Sequence, residues 1–445
     1  MLVIMVAVLL GYGTALLIGL DLGAIIQTVA LTWTLAWTQR TADLSDHLIG
    51  LVVLPVTALA LAGTDSFMPA VFVLAAGVAI WIRRFGPRAT KAGTLATLPL
   101  ITALVVPEPI ASGPWTAVAT LIAVFWVAVA QVPGGLLGRT PAAAAERRAG
   151  SGILPSTRMA LQMSVALSVA FAVGHLAFPE HWTWAVLTTF IVCSGSRSRG
   201  DVLHKGALRA LGAALGTVVA SWIAGLFGPR DPWAVVLIFA ILAAATWLRP
   251  RSYGYWAACI TAALSLLYGY IGQADPALLR QRLMAIVAGA VIGIAASWLI
   301  APIRTVDVVR RRVADALAAL ADLLRGEDRE YHRARFDHAV EQLGLLAGPL
   351  KAHRALRRRG GPHLADAIDA VRSCAGPARA VNRSSREPET VAAVLANITA
   401  VRLAIGRRPG PAYRPPSSPG ADEALAEIDA ALSRLAALFP HSPAS

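Results

Sequence analysis

The segment LMAIVAGAVIGIAASWLIA, residues 283–301, determines the class of fold. It contains no charged residue. A helix that crosses the roughly 30 Å of hydrocarbon in a bilayer needs about twenty such residues. The segment therefore predicts a transmembrane helix.

Eleven further apolar runs of similar length lie upstream of this segment. Of the whole chain, 56% of residues are hydrophobic and 15% are charged, whereas soluble domains are about a quarter charged. We predict an all-α, polytopic membrane protein with about twelve transmembrane helices. The further runs lie near residues 2–20, 22–38, 47–63, 68–82, 91–106, 114–132, 159–178, 182–194, 207–227, 232–248 and 254–271.

The loops between these runs differ in charge. Alternate loops hold basic residues, and cytoplasmic loops of membrane proteins are enriched in Lys and Arg. This pattern predicts that both termini are cytoplasmic, while the richness of the chain in Ala, Arg and Gly indicates a bacterial gene. The loop pattern also accounts for the net charge of +14 without a nucleic-acid partner. The basic set includes Arg40, Arg83, Arg84, Arg88, Lys91, Arg139, Arg158, Arg199, Lys205, Arg249 and Arg251, and the opposite loops hold Asp65, Glu108, Glu180, Asp231 and Asp275.

The two halves of the apolar region look like repeats. The stretch WIRR at 81–84 and the stretch WLRP at 247–250 both end a fourth run, and the same offset aligns Gly50 with Gly216. Chance alignment of Ala-rich segments is the alternative. We predict a first transmembrane half at 1–132, a cytoplasmic linker at 133–157 and a second half at 158–302. Parallel repeats of this kind occur in transporters, whose substrate path lies between the halves.

After Pro302 the sequence becomes amphipathic. Val309, Val313 and Leu317 recur at the spacing of one helix face, opposite Arg310 and Arg311. This pattern predicts a cytosolic helical domain at residues 303–445. Within it, the run Arg357, Arg358 and Arg359 is interpreted as a solvated basic loop, with anionic lipid as the alternative partner.

Two arginines stand out because a charge inside the membrane is costly. Arg209 lies just inside the ninth run and Arg282 opens the twelfth. Snorkelling to the interface is the alternative role, but we predict that both guanidinium groups bind an anionic substrate. Each is followed by a GxxxG pair, Gly212 with Gly216 and Gly289 with Gly293, which predicts close helix packing.

The remaining candidate residues are weaker. Trp184 and Trp256 are candidates for substrate contact, although aromatic residues at span ends also form interfacial belts. Asp21 and His175 are the candidates for proton coupling, because no Asp or Glu lies near the middle of a predicted span. We find no catalytic motif and no metal-ligand spacing, and we expect neither an enzyme nor a bound cofactor.

Four stretches of the second half occur in a recognisable order. They are WAVLTTF at 184–190, RALGAALGT at 209–217, YGYW at 253–256 and RLMAIVAG at 282–289. The chain resembles the fusaric acid resistance family, also called aromatic acid exporters, firmly over 158–302. The resemblance implies an inner-membrane exporter of aromatic or other organic acids that can work with a periplasmic partner protein. Ala213 replaces a threonine of the family pattern, which puts the role of that hydroxyl in doubt.

Three functions remain open at this stage. The first is a permease that exports small organic anions, aromatic carboxylates among them. The second is a passive anion channel, and the third is a non-transporting scaffold that recruits a partner through its cytosolic domain. The expected partners are the bilayer, a small organic anion and a second copy of the chain. The sequence does not identify the substrate.

Overall fold

The computed structural model shows a chain built of helices. It describes residues 2–39, 44–62, 68–105, 115–135, 155–195, 198–224, 226–272, 276–300, 304–325, 329–356, 362–381, 388–415 and 423–440. All regular secondary structure in these ranges is helical. Most of the predicted linker, 136–154, and the run Arg357–Arg359 lie outside them.

The chain divides into two compact units. The first comprises residues 1–196 and 202–302, and the second comprises residues 197–201 and 303–445. Each of the twelve predicted apolar runs coincides with one helix of the first unit. These helices are α1 (Leu2–Leu17), α2 (Leu22–Thr38), α3 (Leu44–Ala62), α4 (Met68–Trp81, followed by a 3-10 turn), α5 (Pro87–Val105), α6 (Trp115–Gly135), α7 (Pro155–Ala177), α8 (Trp182–Cys193), α9 (Arg199–Ala224), α10 (Pro232–Leu248), α11 (Tyr253–Tyr270) and α12 (Pro276–Leu299).

Four helices in the described part of the chain are both long and apolar enough to span a membrane. Three of them belong to the first unit, at Met68–Phe85, Ser156–Ala177 and Arg280–Leu299. Most other helices of this unit are apolar but shorter. The chain is thus a helical membrane protein, and the number of twelve spans remains a prediction.

The fourth such helix, α18 (Pro388–Ile405), belongs to the second unit. Its residues Val394, Ile398 and Val401 are buried in the core of that unit. Its polar Asn397 donates a hydrogen bond to Asp429 at 2.8 Å. We therefore interpret α18 as a core helix of a packed domain.

Helix pairs in the first half have counterparts in the second. Helix α1 packs on α2 and α6, and α7 packs on α8 and α12. Likewise α4 contacts α5, and α10 contacts α11. The two halves share one core cluster, which combines Leu31, Leu54 and Leu95 with Leu242 and Ala263. This shared core joins both halves into a single unit.

The second unit is a bundle of seven described helices around one apolar core. The sequence predicts single helices near 334–358 and 363–381, and the structure divides each of them in two. Proline causes both divisions, because it removes a backbone hydrogen bond when it lies in a helix interior. Pro349 and Pro377 instead each lie in the first turn of a new helix. The remaining helices are α13 (Thr305–Arg325), α14 (Arg329–Gly344), α15 (Ala347–Leu356), α16 (Leu364–Ser373), α17 (Ala375–Ala380) and α19 (Glu423–Leu438).

Candidate functional site

Arg209 of α9 and Arg282 of α12 lie near opposite ends of α11. Tyr253, in the first turn of that helix, is the electrostatic neighbour of Arg209. The guanidinium carbon of Arg282 lies 4.0 Å from the ring centroid of Tyr268, in the last turn. The two tyrosines are separated by about 22 Å along the helix axis. The two arginines therefore do not form one site.

Arg209 lines a cavity that lies between the two halves. The cavity has a volume of about 490 Å³ and is bounded by α1, α2 and α5 on one side and by α8 to α11 on the other. Along α10 its lining extends from Val235 to Arg249, about 20 Å of helix. Its walls are mainly apolar, as is typical of small-molecule sites.

Tryptophans of both halves form one wall of the cavity. The rings of Trp33 and Trp256 are parallel within 5°, with their centroids 6.3 Å apart. The indole nitrogen of Trp33 donates a hydrogen bond to the Thr246 hydroxyl at 3.1 Å. The exposed Arg249 guanidinium lies 4.3 Å from the ring of Trp37 and 5.6 Å from that of Trp256. These contacts hold a flat aromatic surface next to the positive charge of Arg249.

The charge of Arg209 is fully buried. Its side chain is 0% exposed, and none of its three guanidinium nitrogens has a hydrogen-bond partner among the described residues. The indole nitrogen of Trp256, on the same cavity, also has no acceptor there. Buried donors are almost always satisfied in native proteins. Since the described lining contains no Asp or Glu, these donors fit an anion that enters the cavity.

Arg282 and Trp184 come together in a different place, whereas Trp256 lines the cavity with Arg209. The Arg282 guanidinium carbon lies 4.9 Å from the Trp184 ring centroid. Trp184, Ala213, Tyr268 and Ile286 belong to one buried cluster. Arg282 is not among the residues that line the cavity.

All four predicted glycines lie where helix backbones or side chains approach closely. A side chain at Gly212 would meet the Gly254 carbonyl, and one at Gly216 would meet the Ala258 carbonyl. On α12, Gly289 faces the backbone of Ala185. These contacts show that α9 packs on α11 and α8 packs on α12.

Gly293 completes the contact between α8 and α12. A β-carbon there would lie 3.2 Å from the Cys193 sulfur. Since Gly289 faces Ala185 and Gly293 faces Cys193, the two helices run in parallel. By the same argument α9 and α11 run in parallel, as Gly212 faces Gly254 and Gly216 faces Ala258.

Neither candidate for proton coupling lies at the cavity. Asp21 is the N-cap of α2 and accepts a hydrogen bond from the Ala24 amide at 2.7 Å. His175 is exposed and stacks on Trp182, with centroids 4.6 Å apart. Both side chains have local structural roles at the ends of helices.

Sequence reasoning missed Trp33 and Trp37 of the cavity wall, and also Thr246, which accepts the hydrogen bond of Trp33. One pattern could have identified the first two. Positions 22, 26, 29, 33 and 37 of α2 follow the three- and four-residue spacing of one helix face, and all five line the cavity. Thr246 could not be found in this way, because its partner lies in the other half of the chain.

Comparison with known proteins identifies one segment of the chain. Residues 165–296 match the family described as fusaric acid resistance protein-like. The match extends from α7 to α12 and contains Arg209, Trp256 and Arg282, which confirms the resemblance over this segment. No curated protein matches the chain.

Proposed function

From the family match and the geometry of the cavity, we propose that the protein is a permease that exports small organic anions. The observation that carries this proposal is Arg209, a fully buried guanidinium without a partner among the described residues, which lines a mainly apolar cavity. An unpaired charge in such surroundings is costly. A carboxylate that binds there would offset the cost by pairing with it.

The chemistry of the cavity favours a carboxylate joined to an aromatic ring. A guanidinium binds a carboxylate through two parallel hydrogen bonds. The indole N–H of Trp256 would supply a further donor, since it lines the same cavity and has no described acceptor. The ring of such a substrate would pack against Trp33 and Trp37, since aromatic pairs prefer offset-stacked or edge-to-face contact.

We further propose that two six-helix halves form the transport path between them. The matched helix pairs of the two halves support this proposal, as does the presence of both halves in the cavity wall. Parallel packing of α9 with α11 and of α8 with α12 fits spans that alternate in direction. In this arrangement the α2–α3 loop, the end of α10 and both termini are cytoplasmic, so Arg249 marks the inner end of the cavity.

The decisive test is flux of labelled benzoate in proteoliposomes, with and without a pH gradient. Arg209→Gln removes the charge and retains a long polar side chain, and we expect at least a tenfold loss of flux. Arg251→Gln is the matched control, because Arg251 is exposed and stacks on Trp247 outside the cavity. Undiminished flux in folded, inserted Arg209→Gln protein would overturn the proposal.

The same assay separates the two rival functions. A passive channel would conduct benzoate at fixed voltage with no dependence on a pH gradient, and it would still require Arg209. A scaffold would move no labelled acid in either protein. The channel is the second candidate because no described acidic residue lines the cavity, whereas a proton-coupled pump normally has a titratable group on its path.

A further inference from the structure

The surroundings of Arg282 form a site that the cavity does not explain. The side chain is only 1% exposed, and its three guanidinium nitrogens have no hydrogen-bond partner among the described residues. Its electrostatic neighbours in that part of the chain are Tyr268 and His181, neither of which carries a carboxylate. A cation in this environment needs an occupant that accepts hydrogen bonds.

The two aromatic rings prepare the guanidinium for such an occupant. Tyr268 and Trp184 lie 4.0 Å and 4.9 Å from its central carbon, distances at which a ring attracts a cation. The two rings also contact each other, with their centroids 6.0 Å apart and their planes tilted by 47°. Contacts with ring faces do not use the N–H groups, which point outward in the guanidinium plane.

A second polar group without a described partner is an electrostatic neighbour of Arg282. His181 precedes α8, is 6% exposed, and has an Nδ1 atom without a partner among the described residues. It interacts electrostatically with Arg282 and also with the exposed Glu180. The imidazole thus adds a buried ring nitrogen without a described partner to the site, whereas Glu180, the preceding residue, is exposed.

We propose that Arg282 is the centre of a second anion-binding site, which takes the carboxylate group of a small organic acid. Tyr268 and Trp184 hold the guanidinium, and His181 contributes a further hydrogen bond. The site is distinct from Arg209, because the tyrosines next to the two arginines, Tyr253 and Tyr268, are about 22 Å apart along α11, and Arg282 does not line the cavity.

Leu264 connects the two sites. It lines the cavity and also packs against the cluster that contains Trp184 and Tyr268. An acid that moves from Arg209 towards Arg282 would therefore pass this side chain. The assignment of Arg282 as a second station on the path rests on the proposed transport function, whereas the binding of an anion to Arg282 does not.

Equilibrium dialysis of the purified full chain against labelled benzoate tests the proposal. We expect two benzoates per chain in the original protein, one in Arg282→Gln, one in Arg209→Gln and none in the double variant. The matched control is Arg280→Gln, because Arg280 lies one turn earlier or less on the same helix and is exposed. This control should retain both sites.

Arg282→Lys is a second variant that tests the same site if Arg282→Gln does not fold. It preserves the charge but lacks the planar fork, so we expect the second site to bind at least about tenfold more weakly. Two sites of unchanged affinity in either folded Arg282 variant would overturn the second site. So would a single benzoate in the original protein that Arg209→Gln removes. In both cases, flux that depends on Arg209 would still support the proposed transport function.

Discussion

Trp33 of α2 and Trp256 of α11 stack with nearly parallel rings, whose planes differ by 5° and whose centroids are 6.3 Å apart. One tryptophan comes from each half of the membrane unit. Their contact places an aromatic surface across the boundary between the halves, in the same cavity as Arg209. Any movement of one half against the other would change this surface, so the proposed binding of a flat substrate would depend on the arrangement of the helices.

The first prediction concerns selectivity for aromatic rings. Trp256→Leu removes an aromatic face and should reduce the preference for benzoate over cyclohexanecarboxylate, an acid of similar size without an aromatic ring. Aromatic pairs contribute about 0.5–1.5 kcal/mol beyond burial, so the ratio of the two affinities should fall several-fold. Competition for labelled benzoate flux measures this ratio.

Trp256→Phe is the control that separates the ring from its N–H group. It retains an aromatic face, so selectivity should persist, while the affinities for both acids fall together because the donor is lost. Equal selectivity in the Leu variant and the original protein would show that the ring of Trp256 does not contact the substrate.

A second prediction concerns the hydrogen bond between Trp33 and Thr246. Thr246→Val has nearly the same shape but leaves the buried indole N–H of Trp33 unpaired, which costs about 1–3 kcal/mol. We expect a lower thermal unfolding midpoint in detergent. Thr34→Val is the matched control, because within the described part of the chain the Thr34 hydroxyl donates only to the carbonyls of Ala30 and Leu31 in its own helix. Equal midpoints for both variants would contradict the assigned role.

The third prediction concerns helix packing. A methyl group at Gly216 would collide with the Ala258 carbonyl, and backbone cannot move away as a flexible side chain can. Gly216→Ala should therefore separate α9 from α11 and destabilise the protein by about 1–3 kcal/mol. At Gly13 of α1 a β-carbon meets nothing within 4 Å. Gly13→Ala should be neutral or stabilising, because alanine favours helix, and thermal unfolding distinguishes the two variants.

Sequence patterns predicted the elements of this fold well because the bilayer constrains them strongly. An uncharged run such as 283–301 has few alternatives to a helix when no water is present to satisfy its backbone. The periodicity of Val309, Val313 and Leu317 indicated the first helix of the second unit in the same way, and all three are buried there. Where the prediction merged helices, as around Pro349, the local effect of proline was overlooked.

The candidate site was only partly predictable. Burial cost identified Arg209 and Arg282 as unusual, and the structure buries both. Their spacing along the sequence, however, gave no measure of their separation in space, because it depends on how α9 and α12 pack against α11. The pairing of Trp33 with Trp256 likewise arises only when the two halves meet. Such contacts between distant segments are fixed by tertiary packing, which a single sequence does not display.

A buried carboxylate in the second unit leads to the last prediction. Asp429 is 6% exposed and accepts hydrogen bonds from the Tyr413 hydroxyl at 2.6 Å and from Asn397 at 2.8 Å. Hydrogen bonds to charged groups contribute about 1.5–3 kcal/mol. Tyr413→Phe should therefore destabilise the second unit by about that amount at neutral pH. Labelling of the buried Cys374 thiol along a urea series measures this loss, in a background that lacks Cys193 and Cys259.

The same bond makes the stability depend on alkaline pH. Burial and the hydrogen bond to Asp429 raise the pKa of Tyr413 from 10.0 to about 12. Because the folded-state pKa lies above the unfolded value, the contribution of Tyr413 is complete below pH 10 and is lost as the pH rises towards 12. The difference in stability between the original protein and Tyr413→Phe should shrink over this interval. A constant difference, after correction for thiol reactivity in the denatured state, would show that the tyrosine does not titrate against Asp429.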